Sequence, residues 1–291
     1  MAFVSVKQLL AAVEEQGLPL WEVILNEDVK DRGVVREDSF RQMNALWAAM
    51  KSASEGYSAA ARSKSGLVGG DGEKMRRYAL TGNGIAGAYL SGVIAEALRM
   101  GESNACMKRI VAAPTAGSCG VLPAVLIPFA RANKTGDREI TSALFVAAGF
   151  GQIIASRASI SGAEGGCQAE IGSASAMAAA ALVCLKNGTP EMSACACSMA
   201  LMNLLGLVCD PVAGLVEIPC VKRNVIGAVN AISCADMALA GIGSAIPPDE
   251  VIDSMRSVGD MMPACLRETG TGGLAATPTG AAAAKKIHGI L

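Results

Sequence analysis

QAEIGSASAMAAAAL, residues 168–182, decides how this chain folds. Its side chains are almost all small and uncharged, and alanine is the strongest intrinsic helix former. No Gly or Pro interrupts it after Gly172, and no alternation of apolar and polar residues marks a strand. The stretch reads as a helix apolar on every side, and such a helix is buried within other helices. A glycine-rich run with a cysteine at its end, SGAEGGC (residues 161–167), leads into it.

The rest of the chain repeats this chemistry. Of 291 residues, 52 are alanine and 33 glycine, hydrophobic residues make up 52%, and aromatic residues only 3%. A core of such small side chains must bring backbones close together, so the expected class is all-α or nearly so. Helices are expected at about 84–100, 119–132, 138–156, 168–186, 190–207, 222–240 and 248–258. Residues 1–65 read as a helical lead-in, with Phe40, Met43, Trp47, Met50 and the adjacent Leu46 forming one buried stripe. GLVGGDGE, residues 66–73, reads as a mobile break, and 66–291 as the main helical domain, continuous with the lead-in or separate from it.

Charge excludes one class of function. With 25 Lys and Arg against 26 Asp and Glu the net charge is −1, so no basic face is available to collect nucleic-acid phosphates. A mean hydropathy of +0.39 raises the opposite question, whether the chain lies in a membrane. The uncharged runs Ile110–Ala130, Ile140–Ser156 and Met192–Cys209 approach spanning length, but they are diluted with Ala, Gly, Ser and Cys and lack aromatic belts. They read as buried helices of a soluble core. The opening residues, with Glu14 and Glu15, do not have the pattern of a secretory signal.

Ten cysteines outside a secretion context are more often small buried hydrophobes than disulfides. Three are placed differently. In CDPVAGLVEIPC (209–220) a continuous helix would hold Cys209 and Cys220 about 16 Å apart. Pro211, Gly214 and Pro219 make the segment turn back instead, which can bring both sulfurs to one place. Cys167 stands at a helix N-terminus, where free N–H groups favour its thiolate. Cys195 and Cys197 sit within a helix and point about 200° apart. Cys184 and Cys234 also look helical, and Cys106, Cys119 and Cys265 stay ambiguous. Zinc normally shows a tight C-x₂₋₄-C pair, absent here. Widely separated thiolates suit an iron–sulfur cluster better, and buried structural cysteines remain the alternative.

GAEGGCQAEIGSASAMAAAA and CDPVAGLVEIPCVKRN, with APTAGSCGVLPAV upstream and RETGTGGLA downstream, closely resemble the α chain of the iron–sulfur-dependent L-serine dehydratases. The resemblance runs from about Arg76 to Ala276. It implies a largely helical catalytic domain, a cytoplasmic lyase acting on L-serine, and a [4Fe–4S] cluster on Cys167, Cys209 and Cys220. It also implies a separate β chain, because only the α region is represented. Single-chain members end in a cysteine able to occupy the open iron; this chain ends KKIHGIL, which puts that self-ligation in doubt.

Under this reading Thr115, Ala116, Gly117 and Ser118, just before a helix, form an anion cradle for the substrate carboxylate, or else an ordinary turn and cap. The base is unassigned. His288 is the single histidine and reads as a tail residue. Lys108 and Glu164 flank candidate loops but read better as a solvated lysine and a structural carboxylate, so the base is expected from the β chain. The Thr269–Thr279 stretch is either an unstructured tail or a segment closing over the cluster. The rival activities are elimination from another β-substituted amino acid, such as L-cysteine desulfidation, and a cluster-bearing sensor. A pyridoxal-phosphate dehydratase is excluded by the missing strand pattern and lysine motif.

Overall fold

The computed structural model describes residues 3–289 and contains thirteen α-helices. Among the described residues there is no strand, only an isolated parallel bridge between Cys209 and Arg267. The all-α expectation is met. At the centre is α9 (Ser173–Leu185), preceded without a break by a five-residue π-turn, Gln168–Gly172. Four helices surround it: α6 (Val121–Asn133), α7 (Asp137–Arg157), α10 (Pro190–Met202) and α11 (Cys220–Leu239). Every residue from Ser173 to Val183 is buried, which explains the run of alanines.

Glycines set the spacing at the tightest seams. A Cβ on Gly151 of α7 would lie 2.8 Å from the Met177 sulfur, and one on Gly227 of α11 would lie 2.9 Å from both Ile171 and Val121. These are approaches that no larger residue permits. Two of the helices, Asp137–Arg157 and Gln168–Leu185, are long and apolar enough to cross a membrane, but their apolar windows are 67% and 83% buried inside the fold.

The first three helices, α1 (Val6–Gln16), α2 (Leu20–Arg32) and α3 (Arg36–Glu55), lie against this bundle, with α2 and α3 on α7. Phe40 stacks on Phe145, and the Trp47 indole N–H donates to Asp137 Oδ1 at 2.7 Å. Trp47 and Met50 are buried and Phe40 and Met43 partly so, whereas Leu46 is exposed, just off the stripe.

Residues 66–73 are not the mobile break that their glycines suggested. Asp71 opens α4 (Asp71–Leu80), and the backbone N–H groups of Asp71 and Gly72 donate to the Glu102 carboxylate at 2.7 and 3.2 Å. A carboxylate from α5 (Gly87–Ala105) thus caps the free N–H groups of α4. The expected helix 190–207 also stops early, at Met202. The turn beyond it leaves the Leu207 carbonyl to accept the Gln168 N–H at 2.9 Å, anchoring the start of the π-turn.

Beyond α11 come α12 (Pro248–Met261) and α13 (Pro278–His288); the remaining helix, α8 (Gly162–Gly165), is a single turn before Cys167. The Thr269–Thr279 segment is not an unstructured tail. It is tied by the Leu274 N–H to Asp210 Oδ2 at 2.7 Å and leads into α13, whose start Thr277 caps through the Gly280 N–H at 3.1 Å.

Candidate metal centre

Three separate chain segments deliver the cysteines singled out above. Cys167 precedes the π-turn, a feature that recurs at functional sites. Cys209 lies in an extended segment: its N–H donates to the Leu266 carbonyl at 2.8 Å, and its carbonyl accepts from the Glu268 N–H at 2.8 Å. The chain then turns through Val212–Gly214, where Ala213 takes φ 57°, and the Val212 N–H closes the loop on the Ile218 carbonyl at 2.9 Å. Cys220 is the first residue of α11. All three side chains are buried.

The Cys167 and Cys209 sulfurs and a Glu170 carboxylate oxygen lie within 4.8 Å of one another. Cys220 falls outside this trio, yet it is close enough for the charges on Cys167 and Glu170 to act on its thiol, which burial first pushes up to about 12. The hydrogen bond with Cys209 pulls the Cys167 thiol down, and the Arg223 guanidinium adds to that, donating to the Cys167 sulfur at 3.4 Å. The Cys209 thiol moves up, as the donor in the same pair. Cys167 is therefore the sulfur most ready to be a thiolate ligand.

Sequence reasoning missed the polar groups around these sulfurs. Arg223, one turn after Cys220, also donates to the Val208 carbonyl at 2.7 Å and pairs with Asp210 at 2.8 Å. A single guanidinium thus touches the segments of all three cysteines. Glu170 takes the Thr115 hydroxyl at 2.6 Å, and its pKa is raised, mainly by burial and partly by the nearby Glu268 charge. Spacing carried a signal for both: Glu170 and Arg223 each stand three residues after a loop cysteine, on the same helical face. Glu170 is also the one charged residue between Glu164 and Lys186.

Glycines make room here too. A Cβ on Gly162 would lie 2.8 Å from Glu170 Oε2, 3.1 Å from Glu268 Oε2 and 3.2 Å from the Cys209 sulfur. A Cβ on Gly117 would lie 2.8 Å from Glu170 Oε1. The 115–118 loop therefore borders the cysteines. Its hydroxyls are engaged, Thr115 Oγ1 with Glu170 and with Ser118 Oγ at 3.0 Å, which is the ordinary-turn reading. The N–H groups of Ala116, Gly117 and Ser118 donate to no protein acceptor among the described residues. Asn224 holds the loop against α11, accepting from the Gly120 N–H at 2.8 Å and donating to the Gly117 and Cys220 carbonyls at 2.8 and 2.9 Å.

The remaining candidates lie elsewhere. His288 is exposed at the end of α13, and Lys108 and Glu164 are exposed as well. Cys119 is buried, with its sulfur 3.9 Å from the Met100 carbonyl; Cys197 and Cys234 are also buried, and Cys265 is exposed.

Fold and site together define a class: a helical protein that gathers thiols and carboxylates from distant loops into one glycine-built cradle. Comparison with known proteins makes the class specific. The family model described as "Serine dehydratase alpha chain" matches residues 15–275, and the chain belongs to that family. It is 48% identical over 287 residues to the "Probable L-serine dehydratase, alpha chain" of Bacillus subtilis strain 168, covering 99% of this chain and 96% of that one. It is 41% identical over 277 residues to the "L-serine dehydratase, alpha chain" of Peptoniphilus asaccharolyticus, covering 95% of each. Against the "L-serine dehydratase 1" of Escherichia coli strain K12 it is 45% identical over 181 residues, which is 62% of this chain and 40% of that protein.

Proposed function

We propose that this chain is the α chain of an L-serine dehydratase, a lyase that converts L-serine to pyruvate and ammonia at a [4Fe–4S] cluster held by Cys167, Cys209 and Cys220. The observation that carries this reading is the meeting of the Cys167 and Cys209 sulfurs, 42 positions apart in sequence, within the matched family region. The residues present suit such a cluster. The donors are soft sulfurs without histidine, they come from separated segments, and Gly162 supplies a surface that any Cβ would fill. A cluster held by three thiolates supplies a Lewis-acidic iron for the substrate hydroxyl.

This chain's own groups then bind and orient. The unengaged amides of Ala116, Gly117 and Ser118, in the turn just before α6, receive the substrate carboxylate, as backbone N–H groups do for an anion. Arg223 holds the cysteine segments in register and balances thiolate charge. Water is limited by the burial of all three cysteines. The α-proton goes to a base on a separate β chain, because the only histidine, His288, is exposed at the far end of α13. Ten unpaired thiols suit a reducing compartment, the cytoplasm.

The test is anaerobic reconstitution with iron and sulfide, then a serine-to-pyruvate assay with and without the β chain. Pyruvate formed by the loaded pair is the expected result. Sulfide release from L-cysteine with no pyruvate from serine would make the protein a desulfidase, and elimination from neither substrate would leave a sensor. Full activity of the α chain alone would overturn a base on the β chain.

A further inference from the structure

Two carboxylates at the cysteine centre are left without a cation. Glu170 and Glu268 both aim a carboxylate oxygen at the bare face of Gly162, beside the Cys209 sulfur, at 2.8 and 3.1 Å from where a Cβ would stand. Neither is ion-paired within the chain among the described residues. Arg223, the cation of the site, is engaged by Asp210, the Val208 carbonyl and the Cys167 sulfur. Arg267, next to Glu268 in sequence, turns away and donates to the Met262 and Asp260 carbonyls at 2.7 and 3.1 Å.

The two carboxylates are also built in from different directions. Glu170 is fixed by the Thr115 hydroxyl, and Gly117 leaves it room. Glu268 is held on the cysteine segment by its own N–H, with φ 61°, a left-handed conformation that a residue other than glycine adopts at a cost. Glu170 is half-buried and Glu268 exposed, and carboxylates converging in this way repel each other unless a cation joins them or one takes up a proton.

We propose that Glu170 and Glu268 together receive the α-ammonium group of the substrate, making a free amino group the feature that the site selects. The inference rests on the dehydratase reading above. An α-amino acid is a zwitterion, and the site offers both complements: two carboxylates, and the unengaged amides of Ala116–Ser118 in the loop that borders Glu170. An ammonium has three N–H donors, enough for both carboxylates. Kept protonated by them, the nitrogen withdraws electron density from Cα and eases loss of the α-proton.

The test compares two ligands on the reconstituted α–β enzyme. L-Serine is one; 3-hydroxypropionate, which keeps the hydroxyl and carboxylate but lacks the amino group, is the other. Each is followed by its perturbation of the cluster absorption and by kinetics, in wild type, Glu170→Gln, Glu268→Gln and Glu170→Asp. In either Gln variant serine should bind about tenfold or more weakly, the loss expected for a charge-assisted hydrogen bond. Binding of 3-hydroxypropionate should change less than about twofold on the same scale. The Asp variant should recover part of the serine affinity.

Equal weakening of both ligands in both Gln variants would overturn the inference. So would loss of the cluster in Glu170→Gln with no selective effect in Glu268→Gln, since Glu170 would then be a metal ligand. Wild type that makes no pyruvate from serine sinks the dehydratase reading. Wild type that does, with both Gln variants unselective, sinks only the ammonium site.

Discussion

Arg223 and Asp210 form an ion pair of 2.8 Å whose side chains are 11% and 4% exposed. Asp210 uses its other oxygen to accept the Leu274 N–H, so the pair joins the start of α11, the cysteine loop and the C-terminal segment. Removing one partner leaves the other charged and buried, which costs about 3–5 kcal/mol. Arg223→Met should lower denaturant stability by about that amount and speed loss of the cluster's visible absorption. Arg223→Lys should recover only part of both, because an ammonium cannot reproduce the forked donation.

Cys167→Ala, Cys209→Ala and Cys220→Ala should each abolish or badly damage the brown absorption after anaerobic reconstitution. Cys195→Ala, on α10 away from the centre, should leave absorption and activity as they are. A cluster retained in full by any of the first three variants would remove that cysteine from the ligand set.

Asn224 is 1% exposed and makes three hydrogen bonds, two of which tie Gly117 and Gly120 to α11. Asn224→Leu leaves the Gly120 N–H and the Gly117 carbonyl unpartnered, at about 1–3 kcal/mol for each group left unsatisfied. A loop freed in this way should raise KM for serine more than it lowers kcat. Steady-state kinetics on the folded fraction checks this.

Gly227→Ala should destabilise by about 1–3 kcal/mol through overpacking, since its Cβ would press on Ile171 and Val121. Gly92→Ala, on α5 with open space around it, should instead stabilise by about 0.5–1 kcal/mol. Thermal melts of the two variants should therefore move in opposite directions.

Asp137 gives a pH signature. Lys51 and Trp47, both donating to it, hold its carboxyl below the ordinary 3.8. A depressed carboxylate contributes stability above its unfolded pKa and loses it as pH falls through the folded one. The wild type should thus exceed Asp137→Asn in stability at neutral pH, by about 0.2–1 kcal/mol because the pair is solvent-screened. The difference should begin to shrink below about pH 4 and vanish as pH falls through the lowered folded pKa. A gap that persists in acid would show that packing, not charge, sets it.

What the sequence revealed followed from local chemistry. The alanine run at 168–182 fixed the central helix, and Pro190 and Pro248 marked the starts of α10 and α12. The helix at Asp71–Leu80 was hidden because its cap is Glu102, some 30 residues away, while the glycines beside it read as a break. The three loop cysteines stood out because each bounds a loop rich in glycine or proline. Glu170, Asp210, Arg223 and Glu268 did not, since a charged residue reveals a role only when its partners, up to 64 positions distant, are brought alongside.

The tie from Leu274 to Asp210 also sets an order of events during synthesis. When Cys220 has left the ribosome, every sulfur of the centre has been made, but the segment that braces Cys209 has not. For the time it takes to translate about another 50 residues, at about 5–20 residues per second, the nascent protein has its sulfurs without Leu266, Glu268 and Leu274 to hold them. With the cluster proposed above, stable incorporation of iron would follow translation of residue 274, and a chain released before it should hold its metal poorly even with all ten thiols intact.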